Sequence, residues 1–219
     1  MQSGGGVDVF RRIFSGAGIS LQSQDSMTQS SLLIRIRNQD DAEAWGQFHQ
    51  IYGTLIFRFA RWQGLQDADA ADLTQDVLKE ICRQIGSFEY QRDQGRFRGW
   101  LLTVARCTVA RMKQARFRQP TGTGDTGHLR RLENLPDEAS DLETYWNQEY
   151  EHTLFAWAAK DVQARVEEST WEAFRRTAVD GNNPTDVARE LNLNLGSVYV
   201  ARNRVLASIK RRIAEIDDE

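Results

Sequence analysis

The stretch Phe88–Pro120 reads FEYQRDQGRFRGWLLTVARCTVARMKQARFRQP and combines a helical pattern with a strong local positive charge. Between Gln91 and Arg118 it contains eight basic residues and one acid, although the whole chain has a net charge of −3. The polar run QRDQG predicts a loop, and apolar residues at three- and four-residue spacing then predict a helix from about Phe97 to Arg118. A segment this basic in an acidic protein requires an anionic partner.

Aromatic side chains stand among these cations, and the combination favours a nucleic acid. Lysine and arginine hold phosphates, while flat rings stack on unpaired bases. Tyr90 lies in the predicted loop, where it could serve as a stacking platform. Trp100 has two interpretations: it could wedge between bases, but its spacing from Phe97 and Leu101 favours a place in the core.

Helical periodicity extends through most of the chain, and no segment alternates with the period of a strand. Asp40 or Asp41 is a natural N-cap for a helix that runs to a stop at Gly64, and another helix is predicted from about Asp67 to Ile85. We therefore predict an all-α protein with two small helical domains. The predicted division is a disordered extension at 1–28, a first domain at 29–118, a flexible linker at 119–142 and a second domain at 143–216.

Composition excludes several classes of protein. The chain has 219 residues with 40% hydrophobic content, enough for real cores, but no run reaches the roughly 20 apolar residues of a membrane helix. Cys82 and Cys107 sit in apolar helical contexts, which favours buried thiols in a reduced cytoplasm over the alternative of a redox pair. Asp67 and Asp69 lie about 200° apart on a helix, so they do not form a metal site with Asp72 and Asp76. We predict no cofactor, no metal and no enzymatic activity.

The segment PTDVARELNLNLGSVYVARNRVLASIKRRI, Pro184–Ile213, has the form of a helix-turn-helix. Val187, Ala188 and Leu191 give the first helix an inner face, and Asn192–Asn194 form the turn. An ordinary helical hairpin with a basic face is the alternative. Arginine can read guanine and asparagine can read adenine in the major groove. The predicted outward set is Ser197, Tyr199, Arg202, Asn203 and Arg204.

Three motifs together resemble the two-domain bacterial sigma factors of the extracytoplasmic-function branch. DADAADLTQDVLKEI (67–81) is similar to that family's acidic helix, D-A-x-D-L-x-Q-E-x-F. GRFRGWLLTVARCTVARMKQAR (95–116) is similar to x-x-F-x-x-W-L-x-x-I-A-R-N-x-x. DVARELNLNLGSVYVARNRVLASI (186–209) is similar to E-I-A-x-x-L-x-x-x-x-G-T-V-x-S-R-x-x-R-A. Cys107 stands where the family usually has Asn, and Ala201 where it usually has Arg.

The resemblance implies roles for both domains. The first domain would dock on the clamp helices of the largest RNA polymerase subunit and engage the −10 promoter element, while the second would read the −35 element and meet the polymerase flap. The implied core-binding residues are Asp72, Gln75, Asp76 and Lys79, which share one helical face. The implied −10 contacts are Tyr90, Arg96, Arg98, Trp100, Arg106, Arg111 and Lys113. The implied −35 contacts are the outward set of the helix-turn-helix.

The expected partners are therefore core RNA polymerase, promoter DNA and, as is usual in this family, an anti-sigma factor. A helix-turn-helix regulator that never acts as a sigma subunit is the alternative function, but it leaves the basic segment unexplained. The run Leu132–Glu151 contains seven acids and no lysine or arginine. It is either a solvated linker or a shield for the basic segment.

Overall fold

The computed structural model describes residues 31–86, 97–118 and 139–216, and every regular element in these ranges is a helix. The all-α prediction is confirmed. The predicted extension at 1–28, the loop with Tyr90 and Arg96, and most of the predicted linker lie outside the described residues. Within the described ranges, no helix has an apolar stretch long enough to cross a membrane.

The described chain forms two compact units, the first of which spans Leu32–Tyr150. A short helix, α1 (Ser31–Arg35), precedes α2 (Ala42–Phe48). A π-helical segment (His49–Gly53) continues α2 directly into α3 (Thr54–Trp62). The two remaining long helices are α4 (Asp67–Gln84) and α5 (Phe97–Arg118), whose bounds agree with the predicted ones.

Local chemistry explains where these helices begin and end. Asp41 is the N-cap of α2, because its Oδ1 accepts a hydrogen bond from the amide of Ala44 at 3.0 Å. Arg35 holds both oxygens of Asp41, with Nε 2.8 Å from Oδ2 and Nη2 2.9 Å from Oδ1. The hydrogen bond to Arg35 lowers the pKa of Asp41. Gly64 follows α3 with φ 84°, the left-handed conformation that glycine adopts without strain.

Helix α6 (Ala139–Gln163) begins inside the segment predicted as linker, and its first turns belong to the first unit. Tyr145 stacks on Trp62 with ring centroids 4.4 Å apart, and Trp146 meets the ring of Phe59 edge-on at 5.2 Å. Arg58 pairs with Glu149. Burial raises the pKa of Tyr145 to about 12, and the negative charge of Glu149 adds to the shift. The predicted domain boundary at 143 thus falls inside a helix, because these aromatic contacts extend the first unit to Tyr150.

The second unit contains the described residues from Glu151 onward. After α6 it has α7 (Glu168–Phe174) with a π-helical continuation (Arg175–Val179), then α8 (Pro184–Glu190) and α9 (Leu195–Ala214). The guanidinium of Arg212 lies 4.5 Å from the centroid of Trp157, and its Nε lies 3.1 Å from Oδ2 of Asp161. These contacts fasten the end of α9 to the later turns of α6.

The prediction of two buried thiols is wrong. Cys82 is half-buried and Cys107 is exposed, and both are free. Leu101 and Ala105 lie on the buried face of α5. The helical spacing places Cys107 outside that face, about 100° from Arg106. An apolar neighbourhood in the sequence therefore did not determine which side of the helix this thiol occupies.

Candidate functional site

The solvent side of α4 is a continuous polar face. The predicted core-binding residues Asp72, Gln75, Asp76 and Lys79 are all exposed. The opposite side of α4 is buried, with Leu73, Val77 and Ile81 at 0% exposure. Lys79 donates to Asp76 at 3.3 Å, an exposed pair worth little to stability. These side chains are therefore available to a partner.

A groove of about 410 Å³ lies beside this polar face, between α4 and α5. Its walls carry side chains of both charges together with apolar groups. On the α5 wall, Arg111 donates a hydrogen bond to Thr108 Oγ1 at 3.1 Å. The groove places Arg111, predicted as a −10 contact, next to Asp76 and Lys79, predicted as polymerase contacts. The lining residues are Asp76, Lys79, Glu80, Arg83, Thr108, Arg111, Met112 and Ala115.

The other predicted −10 residues of α5 are spread over the helix. Arg98 is half-buried, with its guanidinium carbon 5.0 Å from the ring centroid of Tyr150. Lys113 is also half-buried and donates to Gln63 Oε1 at 3.2 Å. Trp100 is half-buried beside Phe97, with ring centroids 5.4 Å apart. Each of these three side chains has a role inside the first unit.

The helical spacing divides the α5 cations between two directions. Arg98, Arg106 and Lys113 project within about 80° of one another, whereas Arg111 projects about 140° away from Arg106. Arg106 is exposed. The structure therefore brings the first three cations onto one side of α5 and assigns Arg111 to the groove.

The second unit contains the predicted helix-turn-helix. Its core consists of Ala173, Val187, Ala188, Val198 and Ala201, with Leu191 and Leu193 packed against it. The turn passes through Asn192 at φ 53°, a left-handed conformation that asparagine tolerates better than most residues. Asn183 and Asn194 cap α8 and α9 by accepting from the amides of Thr185 at 2.9 Å and Ser197 at 2.7 Å. These caps fix the starts of both helices of the motif.

The outward set of α9 is only partly outward. Tyr199, Asn203 and Arg204 are exposed, whereas Ser197 and Arg202 are half-buried. Arg202 lies only about 40° from Val198, which is in the core, so it projects along the edge of the buried face. Ala201, where the family usually has arginine, is 8% exposed and belongs to the core of the motif. The small side chain there lets α8 and α9 pack closely.

Sequence reasoning missed two exposed apolar residues on α9. Val200 is 65% exposed and Leu195 is 41% exposed, close to the 47% of Tyr199. The signal was present in the spacing, because Val200 lies about 200° from Val198 and cannot share its face. Gly196, Val200, Asn203 and Ala207 all lie within about 40° of the direction opposite the core. The centre of the solvent face of α9 therefore carries the apolar Val200 and the polar Asn203 between two small residues, and Arg204 stands at its side.

An ion-pair network braces α7 and its π-helical continuation against α8. Glu172 accepts from Arg175 Nε at 2.9 Å and from Arg176 Nε at 2.7 Å. These two hydrogen bonds lower the pKa of Glu172 to about 2. Arg176 also donates to Glu190 on α8 at 2.7 Å. The network contributes to the orientation of α8, the first helix of the motif.

Within the described ranges, no group of three His, Cys, Asp or Glu side chains is arranged to hold an ion. Of the acidic run 132–151, Glu149 pairs with Arg58 on α3, while Asp141 and Glu143 are exposed. Glu133, Asp137 and Glu138 lie outside the described residues.

Sequence comparison matches residues 48–118 to the family model Sigma-70 region 2. The chain is also similar to the ECF RNA polymerase sigma factor BldN of Streptomyces coelicolor, with 27% identity over 185 residues. That alignment covers 84% of this chain and 65% of BldN, so the chain spans less than two thirds of its relative.

Among solved structures, the chain is similar to a chain of the RsbN–BldN complex, with 20% sequence identity. The similarity covers 82% of this chain and 97% of that chain, with a TM-score of 0.33. The match to region 2 and the similarity to BldN both rest on sequence.

Proposed function

Because the chain belongs to the sigma-70 family, in its extracytoplasmic-function branch, we propose that it binds core RNA polymerase and directs promoter recognition and opening. In this proposal the first domain binds the polymerase and the −10 element, and the second domain reads the −35 element. A cytoplasmic location and the absence of enzymatic activity belong to the same proposal. The anti-sigma factor implied by the family resemblance stays a prediction.

The observation that carries the proposal is the polar face of α4. It lies within the residues matched to region 2, and Asp72, Gln75 and Asp76 project from it into solvent while the other side of the helix is buried core. The groove beside it adds Arg83 and Arg111 to the same surface. A surface of alternating charge suits a helical partner of mixed charge, such as a coiled coil, because opposite charges set its register.

Promoter opening in this proposal needs no side-chain chemistry. Bases that leave the stack are held on the protein, and their capture shifts the equilibrium toward open DNA. The cations on one side of α5, Arg98, Arg106 and Lys113, would hold the backbone, and Tyr90 and Arg96, outside the described residues, would also contact the −10 element. Arg106 is the exposed member of the three in the described chain, so it is the first candidate for a phosphate contact.

Run-off transcription with core polymerase over a genomic fragment library tests the proposal. Transcripts that start at defined sites only when this chain is added are the expected result. A chain that binds duplex DNA but neither binds core polymerase nor supports a transcript would instead be the alternative regulator. The helix-turn-helix is the observation that favours this alternative. A pull-down with core polymerase separates the two functions.

A further inference from the structure

We propose that Val200 of α9 reads the 5-methyl group of a thymine in the major groove, with the exposed Leu195 and Tyr199 on the same half of the helix. This inference rests on the proposed function, because it deepens the reading of the upstream element by α9. It follows from the exposure of these three residues, at 65%, 41% and 47%. On a helix that approaches base edges, an exposed apolar side chain can contact the apolar group of a base.

The position of Val200 places it where a recognition helix meets the bases. The first turns of the second helix of this motif approach base edges, and Val200 is the sixth residue of α9. It points almost directly away from Val198 and Val205, which are buried at 1% and 0% exposure. The residue one turn earlier on this ridge is Gly196, so no side chain there holds the helix away from the groove.

The residues around Val200 favour DNA over a protein as the occupant. Arg204 follows Val200 by four residues and is exposed, and Lys210 and Arg211 continue the positive charge along α9. An apolar group bordered by cations matches a major groove, in which phosphates border the thymine methyl. Among the base edges, thymine alone offers a methyl group there, and apolar side chains recognise it by contact.

The inference changes the expected specificity of the helix. A recognition helix centred on arginine would select guanine, whereas this one would require a thymine opposite Val200. The family usually has an arginine at position 201. This chain has Ala201 there, which is buried within the motif and cannot contact a base. Arg204, at the side of the ridge, remains available for guanine or phosphate.

Replacement of thymine by deoxyuridine isolates the methyl group, since uracil keeps every hydrogen-bonding group of thymine. The full chain, bound to core polymerase, is first used to select duplexes from a pool randomised across the upstream element. Each thymine in the selected duplexes is then replaced singly by deoxyuridine. We expect about a fourfold loss of affinity at one position, the value of one buried methyl group.

The variant Val200→Ala should bind the thymine and deoxyuridine duplexes equally at that position. The matched control is Arg204→Ala, which should weaken both duplexes while leaving their affinity ratio as in the wild type. Both positions are exposed, so both variants should keep the fold.

An unchanged thymine-to-uracil ratio in Val200→Ala, or a selected element with no uracil-sensitive position, would overturn the inference and leave promoter reading intact. Weaker binding of Val200→Ala to core polymerase with unchanged DNA binding would make the patch a protein contact, which also overturns it. Failure to select any duplex would remove the proposed −35 reading itself and the methyl contact with it.

Discussion

Helices α4 and α9 are both buried along one side, yet their solvent sides differ in chemistry. The solvent side of α4 carries Asp72, Gln75, Asp76 and Lys79 over two turns. The solvent side of α9 has Gly196, Val200, Asn203 and Ala207 at its centre, with Arg204 beside them. Amphipathic periodicity fixes which side is buried in both helices, but only the outward residue types separate the charged face of α4 from the mixed face of α9.

The largest expected effect tests whether position 201 belongs to the core of α9 or to its outer side. Ala201→Arg would force a long charged side chain into the packed contact with α8, so the free energy of unfolding should fall by about 2–4 kcal/mol. Urea denaturation of the full chain measures it. The matched control is Val200→Arg, one residue away and 65% exposed, which should change stability by less than about 0.5 kcal/mol. Equal stability of the two variants would place Ala201 on the outer side.

The next effect concerns the charged side of α4. Asp72→Arg combined with Gln75→Ala should weaken the complex with core polymerase about tenfold or more, because the charge reversal opposes the partner's own pattern. Affinity is measured by fluorescence anisotropy with labelled chain. Glu143→Arg combined with Gln148→Ala makes the same chemical changes at exposed positions of α6 and should bind normally. Wild-type affinity in the α4 variant would reduce this face to a solvated surface.

A smaller effect separates the two arginines of α9. Arg204→Ala should cost about 1–3 kcal/mol in binding to the upstream element, since this side chain is exposed next to the ridge. Arg202→Ala should cost less, because Arg202 is half-buried at the edge of the core. Measurement against single-base variants of the element distinguishes base from phosphate contacts. A larger loss of DNA affinity in Arg202→Ala than in Arg204→Ala would contradict this ranking.

The smallest effect is a pH dependence. The folded-state pKa of Glu172 is depressed to about 2, so its contribution to stability is complete above its unfolded pKa and disappears as pH falls toward about 2. Glu172→Gln should therefore be less stable than the wild type near neutral pH, by up to about 1 kcal/mol for a partly exposed pair. Thermal melts at several pH values should show the two proteins converge in acid. Glu168→Gln, at an exposed position on the same helix, should show no such convergence.

Elements with strong local signals were predictable from the sequence. The bounds of α5, the cap at Asp41 and the stop at Gly64 follow from periodicity, a carboxylate that accepts an amide and a glycine with φ 84°. The polar face of α4 followed from spacing alone. The functional roles of these residues and of the domains stay predictions, since contacts with polymerase and promoter are not features of the isolated chain.

Contacts between distant segments were not predictable in this way. Tyr145 and Trp146 have the helical spacing expected of a second-domain core, but they pack on Trp62 and Phe59 of the first unit. The same limit applies to Arg98, which the sequence shows only as a cation and the structure places over Tyr150. Val200 was missed for another reason: the predicted outward set included only polar and aromatic residues, although the angle of Val200 on the helix places it on the solvent side.

The stack of Tyr145 on Trp62 gives the protein an optical reporter of its own. Trp62 and Trp146 are two of six tryptophans, and both lie where the first turns of α6 meet α3. Trp146 is 1% exposed, so release of these turns would transfer its indole to water and shift its emission to longer wavelength. With the remaining tryptophans replaced by phenylalanine, stopped-flow emission would show whether core polymerase releases these turns, without an attached dye.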